Sequence, residues 1–379
     1  MRKNDAEEKK KWADVNMKKN ILVVDDSALM RRVTSDIINA DERFEVTDFA
    51  KNGFDALDMI LSNHGKYAAV VLDINMPRMT GLEVLEQLAK SKINTKVIIS
   101  STVAVEGAKE TIRALELGAF DFITKPTSYS GVRTSDFGEK IILKLECAAL
   151  GQNDGDIKID KKEFEKAISS VKDSQTPVKK EKGKKLIFIA SSTGGPRSLQ
   201  KVIPYIPKNI DAPIVLVQHM PKGFTKSLAD RLDELSEIDV TEIRDGDVLK
   251  KGHVYIAPGG YHTTFSFGKD GKVRLNVVEG TSAGGLKPCC DVTLKSLEMS
   301  VFEEITCVVM TGMGHDATRG ILDIRKSNNL HIISQNEETC VVYGMPKSIE
   351  KTGCVDEVLP LEKIAISIIN HVGVQKNGR

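Results

Sequence analysis

A serine, a histidine and an aspartate, each in the loop after a short apolar run, are the side chains in this sequence best suited to chemistry. The runs are Leu186 to Ala190 before SSTGGP, Ile214 to Val217 before QHMP, and Ile305 to Met310 before TGMGHDA. A serine hydroxyl becomes a useful nucleophile when a base takes its proton, and the imidazole that takes it needs a carboxylate to fix its tautomer. Ser192, His219 and Asp316 supply one group of each type. Gly312 and Gly314 frame a loop whose backbone N–H groups can hold a developing oxyanion, with the Met313 amide as the candidate donor. One such donor typically contributes about 3–4 kcal/mol of transition-state stabilisation. The chemistry would be hydrolysis of an acyl bond.

Each residue also has a plainer reading. SSTGG alone describes a tight turn or a phosphate cradle, and Ser191 and Thr193 flank Ser192. A single histidine after a strand is commonly a structural hydrogen-bonding group. Asp316 can cap a helix beginning near Ala317, and His315 beside it is a rival base.

These residues need elements to bring them together. Each apolar run is rich in Ile and Val and is followed by small or Gly-containing turns, as in a buried parallel strand. In open α/β sheets the carboxyl ends of strands face a common crevice, so the three residues can converge there. The stretch from Ser192 to His219 is long enough for one crossover to a neighbouring parallel strand. Pro196 sits where the intervening helix would begin.

The first part of the chain shows the same alternation. Over 20–150, strand patterns recur at ILVV (21–24), FEVTDF (44–49), AAVVL (68–72), KVIIS (96–100) and AFDFI (119–123), with amphipathic stretches between them. This is the signature of a doubly wound parallel sheet. Asp25 and Asp26 follow the first strand, Asp73 the third, Ser100 ends the fourth and Lys125 follows the fifth. Three converging carboxylates repel unless a cation is bound, and a hard oxygen site suits Mg²⁺. With Asp73 as acceptor, Asp25 and Asp26 holding the metal, Lys125 pairing with added charge and Ser100 bonding phosphoryl oxygens, these residues would form a coherent phospho-acceptor site; the plainer reading is a helix cap at the Asp pair and a turn at Lys125-Pro126.

Length and composition bound these readings. At 379 residues two domains are expected, and 41% hydrophobic residues provide for two cores. A net charge of +1 gives no electrostatic footprint for nucleic acid or a membrane surface. No run approaches the roughly 18 apolar residues of a membrane span. The charged first nineteen residues lack the core of a signal peptide, so a cytoplasmic location is expected. Six cysteines show no CxxC pairing, which indicates neither a zinc site nor a disulfide framework. Cys307 reads as a small core residue, and Cys289 and Cys290 precede a helix without a nameable activating partner. The Lys-, Asp- and Ser-rich stretch 151–185 reads as a polar linker, with a transient amphipathic helix at KKEFEKAISSVK.

On these motifs the sequence resembles a known family. VVDDS, LDINMPRMTGLEVL, VIISS and FDFITKP in 20–150 are similar to a response-regulator receiver domain. IASSTGGP, QHMPKGFTKSLADRL, GHVYIAPGGYH, TGMGHDA and ETCVVYGMP in 186–371 are similar to the catalytic domain of chemotaxis protein-glutamate methylesterase. The order receiver, linker, esterase is also that of the family, with a charged extension (1–19) before it and a tail (372–379) after it. The sequence departs from it with Ala190-Ser191 where Gly-Ala is usual and His315 where Asn is common.

The resemblance implies two doubly wound α/β domains: a flavodoxin-like receiver with five parallel strands, and a Rossmann-like parallel-sheet esterase with an added β-hairpin. It implies Asp73 as phospho-acceptor from a chemotaxis histidine kinase, with Mg²⁺ at Asp25, Asp26 and Asp73. It further implies Ser192 as nucleophile, His219 as general base, Asp316 as its orienting partner and Met313 in the oxyanion hole, with no cofactor for the ester chemistry. The implied reaction is hydrolysis of glutamate methyl esters on methyl-accepting chemotaxis receptors, releasing methanol, with glutamine deamidation by the same machinery. Phosphorylation would relieve a receiver that covers the Ser192 crevice. Neither nucleic acid nor membrane insertion is expected. The alternative from another class is a phosphate sink or adaptor whose C-terminal half binds without catalysis.

Overall fold

The computed structural model of the chain describes residues 18–102, 104–126, 137–149, 181–281 and 285–375. These form two compact units, each with its own parallel sheet. The KKEFEKAISSVK segment, the linker over 151–180, residues 1–17 of the N-terminal extension and 376–379 of the C-terminal tail lie outside the described residues.

The first unit runs β1 (Lys19–Val24), α1 (Ala28–Asn39), β2 (Phe44–Ala50), α2 (Gly53–Ser62), β3 (Ala69–Asp73), α3 (Gly81–Lys90), β4 (Val97–Ser101), α4 (Val105–Glu116), β5 (Asp121–Thr124) and α5 (Phe137–Ala149). Its sheet has the order β2-β1-β3-β4-β5, with every pairing parallel. Ile21 to Val24 and Ala69 to Leu72 are almost fully buried, as strands covered on both faces require. All five expected strands are present. The fifth starts at Asp121 rather than 119, because buried Ala119 hydrogen-bonds back to Ala114 at 3.0 Å and closes the turn off α4. The order reverses between β1 and β3, and a crevice opens at such a switch point. Asp25 and Asp26 follow β1, and Asp73 ends β3, so the reversal itself gathers the carboxylates.

The second unit runs β6 (Glu181–Ser191), α6 (Gly195–Leu199), β7 (Ile214–Gln218), α7 (Phe224–Leu235), β8 (Asp239–Glu242), β9 (Asp247–Val248), β10 (His253–Ile256), β11 (His262–Phe267) and β12 (Val273–Val278). It continues through α8 (Cys290–Lys295), β13 (Phe302–Val309), α9 (Thr318–Ile324), β14 (Asn329–Gln335), α10 (Met345–Glu350), β15 (Glu357–Leu359) and α11 (Leu361–Val372). Seven strands form a parallel sheet of order β15-β14-β13-β6-β7-β10-β8. The hairpin β11–β12 gains a third antiparallel strand from β9. From β6 the chain winds one way through β7 and later returns on the other side as β13, which puts the switch point between β6 and β13. Ser192 follows β6, and the TGMGHDA loop follows β13.

Leu186 through Ala190 are wholly buried in the sheet centre, and Phe188 and Phe302 anchor the core around them. Each such large side chain contributes about 1.5–3 kcal/mol of burial. β6 also corrects a boundary: it begins at Glu181, inside the stretch assigned to the linker up to 185. Its polar start is held by backbone pairing with β13, Glu181 opposite Phe302 and Lys185 opposite Glu304, which side-chain hydropathy does not register. Among the described residues no helix is long and apolar enough to cross a membrane.

Candidate active site

Ser192 sits where β6 ends and its backbone is fastened from two sides. Its N–H donates to the Thr311 carbonyl at 3.0 Å, and its carbonyl accepts from Gln218 Nε2 at 2.9 Å. The adjacent Ser191 is different in kind: it is fully buried, and its hydroxyl donates to Gln218 Oε1 at 2.7 Å. Burial and bonding therefore separate the two serines, since only Ser192 retains exposure, and its hydroxyl makes no hydrogen bond among the described residues. Gly195 is required behind it, because a Cβ there would lie 2.0 Å from Gln218 Oε1.

β7 delivers the base. The His219 N–H donates to the Ser191 carbonyl at 3.1 Å, tying the two strand ends together. The ring lies with Nε2 2.7 Å from Asp316 Oδ2, which leaves Nδ1 as the ring nitrogen open to a serine hydroxyl. Among the described residues no hydrogen bond yet joins Ser192 to His219; such contacts commonly tighten only when substrate is bound.

Asp316 is buried and accepts from several donors at once. Oδ2 takes His219 and the Cys290 N–H (2.6 Å); Oδ1 takes the N–H groups of Asp291 (2.9 Å) and Ala317 (3.0 Å) and the Cys289 thiol (3.2 Å). Burial pushes this carboxyl up, but the hydrogen bond and charge of His219 and the donated amides outweigh it and hold it well below the usual carboxylate range. Asp316 thus caps a helix as well as meeting the histidine, but the helix it caps is chiefly α8. Asp291 returns the arrangement, accepting the Gly320 N–H of α9 at 2.7 Å. Burial, reinforced by the charge of Asp316, raises Asp291 well above its ordinary value.

The TGMGHDA loop is locked against Ser192. Thr311 donates its hydroxyl to the Thr193 carbonyl at 3.0 Å and its N–H to Gln335 at 2.9 Å. A Cβ on Gly312 would come within 2.7 Å of the Ser192 Cβ, so the loop backbone leading into Met313 passes directly against the serine. The ring of His315, the rival base, makes no hydrogen bond to Asp316 or Ser192 among the described residues. Gln218, Asp291 and Thr311 carry much of this geometry and were not singled out from sequence. The one visible signal was Gln218, immediately before His219 at a strand end.

In the first unit, Lys125 Nζ bridges Asp25 Oδ2 (2.7 Å) and Asp73 Oδ2 (2.8 Å). One carboxylate oxygen from each of Asp25, Asp26 and Asp73 lies within 4.8 Å of the others. Asp73 also accepts the Ile74 N–H at 2.8 Å. Burial raises the Asp73 carboxyl, Lys125 opposes this and Asp25 adds to it. One ammonium shared between two buried carboxylates leaves negative charge for a divalent ion, and the all-oxygen donor set fits Mg²⁺. Ser100 is buried and stands opposite Asp73 in the β3–β4 register.

Comparison with known proteins shows the family to which the chain is similar. Residues 187–368 match the model of the CheB methylesterase family, and 21–134 match that of the response regulator receiver domain. Protein-glutamate methylesterase/protein-glutamine glutaminase 1 of Syntrophomonas wolfei is 39% identical over 356 residues, covering 93% of this chain and 99% of that protein. The protein-glutamate methylesterase/protein-glutamine glutaminase of Thermotoga maritima is 40% identical over 354 residues, covering 93% and 98%. The crystal structure of the Thermotoga maritima CheB methylesterase catalytic domain is 46% identical, covering 50% of this chain and 99% of its own, with a TM-score of 0.47.

Proposed function

Since the chain belongs to the protein-glutamate methylesterase/protein-glutamine glutaminase family, we propose that its Ser192, His219 and Asp316 form the machinery that hydrolyses glutamate methyl esters on chemotaxis receptors. The relatives speak for an enzyme of chemotaxis adaptation, and against a phosphate sink or an adaptor that binds without catalysis. The observation that supports the assignment most is the 2.7 Å contact of His219 Nε2 with buried Asp316, beside Ser192 at the switch point of the sheet.

The steps follow from which nitrogen Asp316 already engages. Asp316 holds the Nε2 proton, so Nδ1 carries the lone pair that takes the proton of Ser192 Oγ as it attacks the ester carbonyl. The Met313 amide stabilises the resulting oxyanion. His219, now protonated, gives its Nδ1 proton to the departing methoxide, methanol leaves, and Ser192 remains acylated. Water, deprotonated by the same nitrogen, then cleaves the acyl-enzyme to glutamate and free serine. With glutamine the leaving group is ammonia and every protein role is unchanged. Asp316 touches no reacting atom and is a positioning residue.

Asp73 is the phospho-acceptor for a chemotaxis histidine kinase; Asp25, Asp26 and Asp73 would hold Mg²⁺, which would supply charge neutralisation for phosphoryl transfer. Lys125 exchanges its pairing with Asp73 for the added phosphoryl charge, roughly −1.5 to −2 by analogy with other phosphorylated residues. Ser100 is placed to bond a phosphoryl oxygen. Methanol release from methylated receptor membranes should rise with a small-molecule phosphodonor and Mg²⁺. In Asp73→Asn that rise should vanish while basal release persists. A phosphodonor response undiminished in Asp73→Asn would remove the acceptor assignment.

A further inference from the structure

We propose that a thiophilic divalent cation such as Zn²⁺ binds between His219 Nε2, Cys290 Sγ and the Asp316 carboxylate and switches the esterase off. The inference rests on the reading of His219 as the general base. The three donor atoms lie within 4.8 Å of one another. Cys290 Sγ is 3.8 Å from His219 Nε2, which is itself 2.7 Å from Asp316 Oδ2. Tetrahedral zinc with bonds of about 2.0–2.3 Å sets its ligand atoms about 3.4–3.6 Å apart. The Cys–His spacing must close by a few tenths of an ångström and the His–Asp contact must open by less than an ångström. Cys290 Sγ has no role in the hydrolytic steps. His219 keeps 7% of its side chain exposed, which gives the cluster a route to solvent.

The proton balance explains the inhibition. On binding, the Cys290 thiol releases its proton to solvent, and the Nε2 proton of His219 is displaced and reappears on Nδ1 as the other neutral tautomer. Nδ1 then has no lone pair to accept the proton of Ser192, so the base is lost although Ser192 is untouched. Sulfur and imidazole select Zn²⁺, Cd²⁺ or Co²⁺, whereas the oxygen cluster of the first unit suits Mg²⁺. The two cations therefore address separate sites.

The test titrates the full-length protein, with Mg²⁺ saturating, first with Co²⁺ as a spectroscopic probe and then with Zn²⁺ during methanol release. A thiolate-to-Co²⁺ charge-transfer band is expected in the parent protein and in Cys340→Ser, and it should be lost in Cys290→Ser and Cys290→Ala. The Zn²⁺ concentration that halves activity, relative to each variant's own metal-free rate, should rise about 10-fold or more in both Cys290 variants. X-ray absorption of the Zn²⁺-loaded parent, which needs no substitution, should show one sulfur at about 2.3 Å. Absence of the band in the parent, or a band and inhibition undiminished without the Cys290 thiol, would overturn the site. A band with no loss of activity at saturating Zn²⁺ would overturn the switch. Activity of the chelated parent against Ser192→Ala tests the hydrolytic reading separately.

Discussion

Ser192→Ala is expected to lower turnover about 10⁴-fold or more in methanol release from methylated receptor membranes, by comparison with other hydrolytic triads. The loss should be purely chemical. The two bonds that fasten this position use its backbone N–H and carbonyl, both of which alanine retains. Ser191 cannot take over, because it is fully buried and its hydroxyl is engaged by Gln218 at 2.7 Å. An unchanged melting temperature of the variant would verify an intact fold. Near-normal methanol release by Ser192→Ala would refute the nucleophile assignment.

Asp316→Asn is expected to lower kcat about 10⁴-fold, the size seen when an orienting carboxylate becomes an amide and the histidine takes the wrong tautomer. Here the amide must also replace an acceptor-only group that meets the Cys290, Asp291 and Ala317 N–H groups. Whichever way the side chain is turned, its NH₂ faces a backbone donor. One unsatisfied buried donor costs about 1–3 kcal/mol, so the melting temperature should fall together with kcat. The pairing of the two effects is the diagnostic. Loss of stability with kcat retained would make Asp316 a helix cap and nothing more.

The strands that carry chemistry were legible because parallel strands buried on both faces read as continuous apolar runs. The runs from Leu186, Ile214 and Ile305 correspond to β6, β7 and β13, and all five strands of the first sheet were anticipated within two residues. Elements defined by pairing were not legible. β9 is two residues long and β15 three, and the polar start of β6 exists through its register with β13. The same division holds in the site. His219 and Asp316, placed by strand ends, do meet. Asp291 was invisible because its role, capping α9 from α8, depends on two helices packing. The cysteines show the limit most clearly: without a CxxC pattern no zinc ligand set was indicated, yet folding brings Cys290, at the start of α8, to His219 and Asp316 in two strand-end loops.

The most direct test of the central claim, that Ser192 is a nucleophile activated through His219, is labelling with a serine-reactive phosphonate followed by peptide mass spectrometry. The account predicts a single covalent adduct at Ser192 in the parent protein, its loss in His219→Ala, and none at Ser191. An adduct on another serine, or labelling of Ser192 that persists at the same rate without the His219 imidazole, would contradict it.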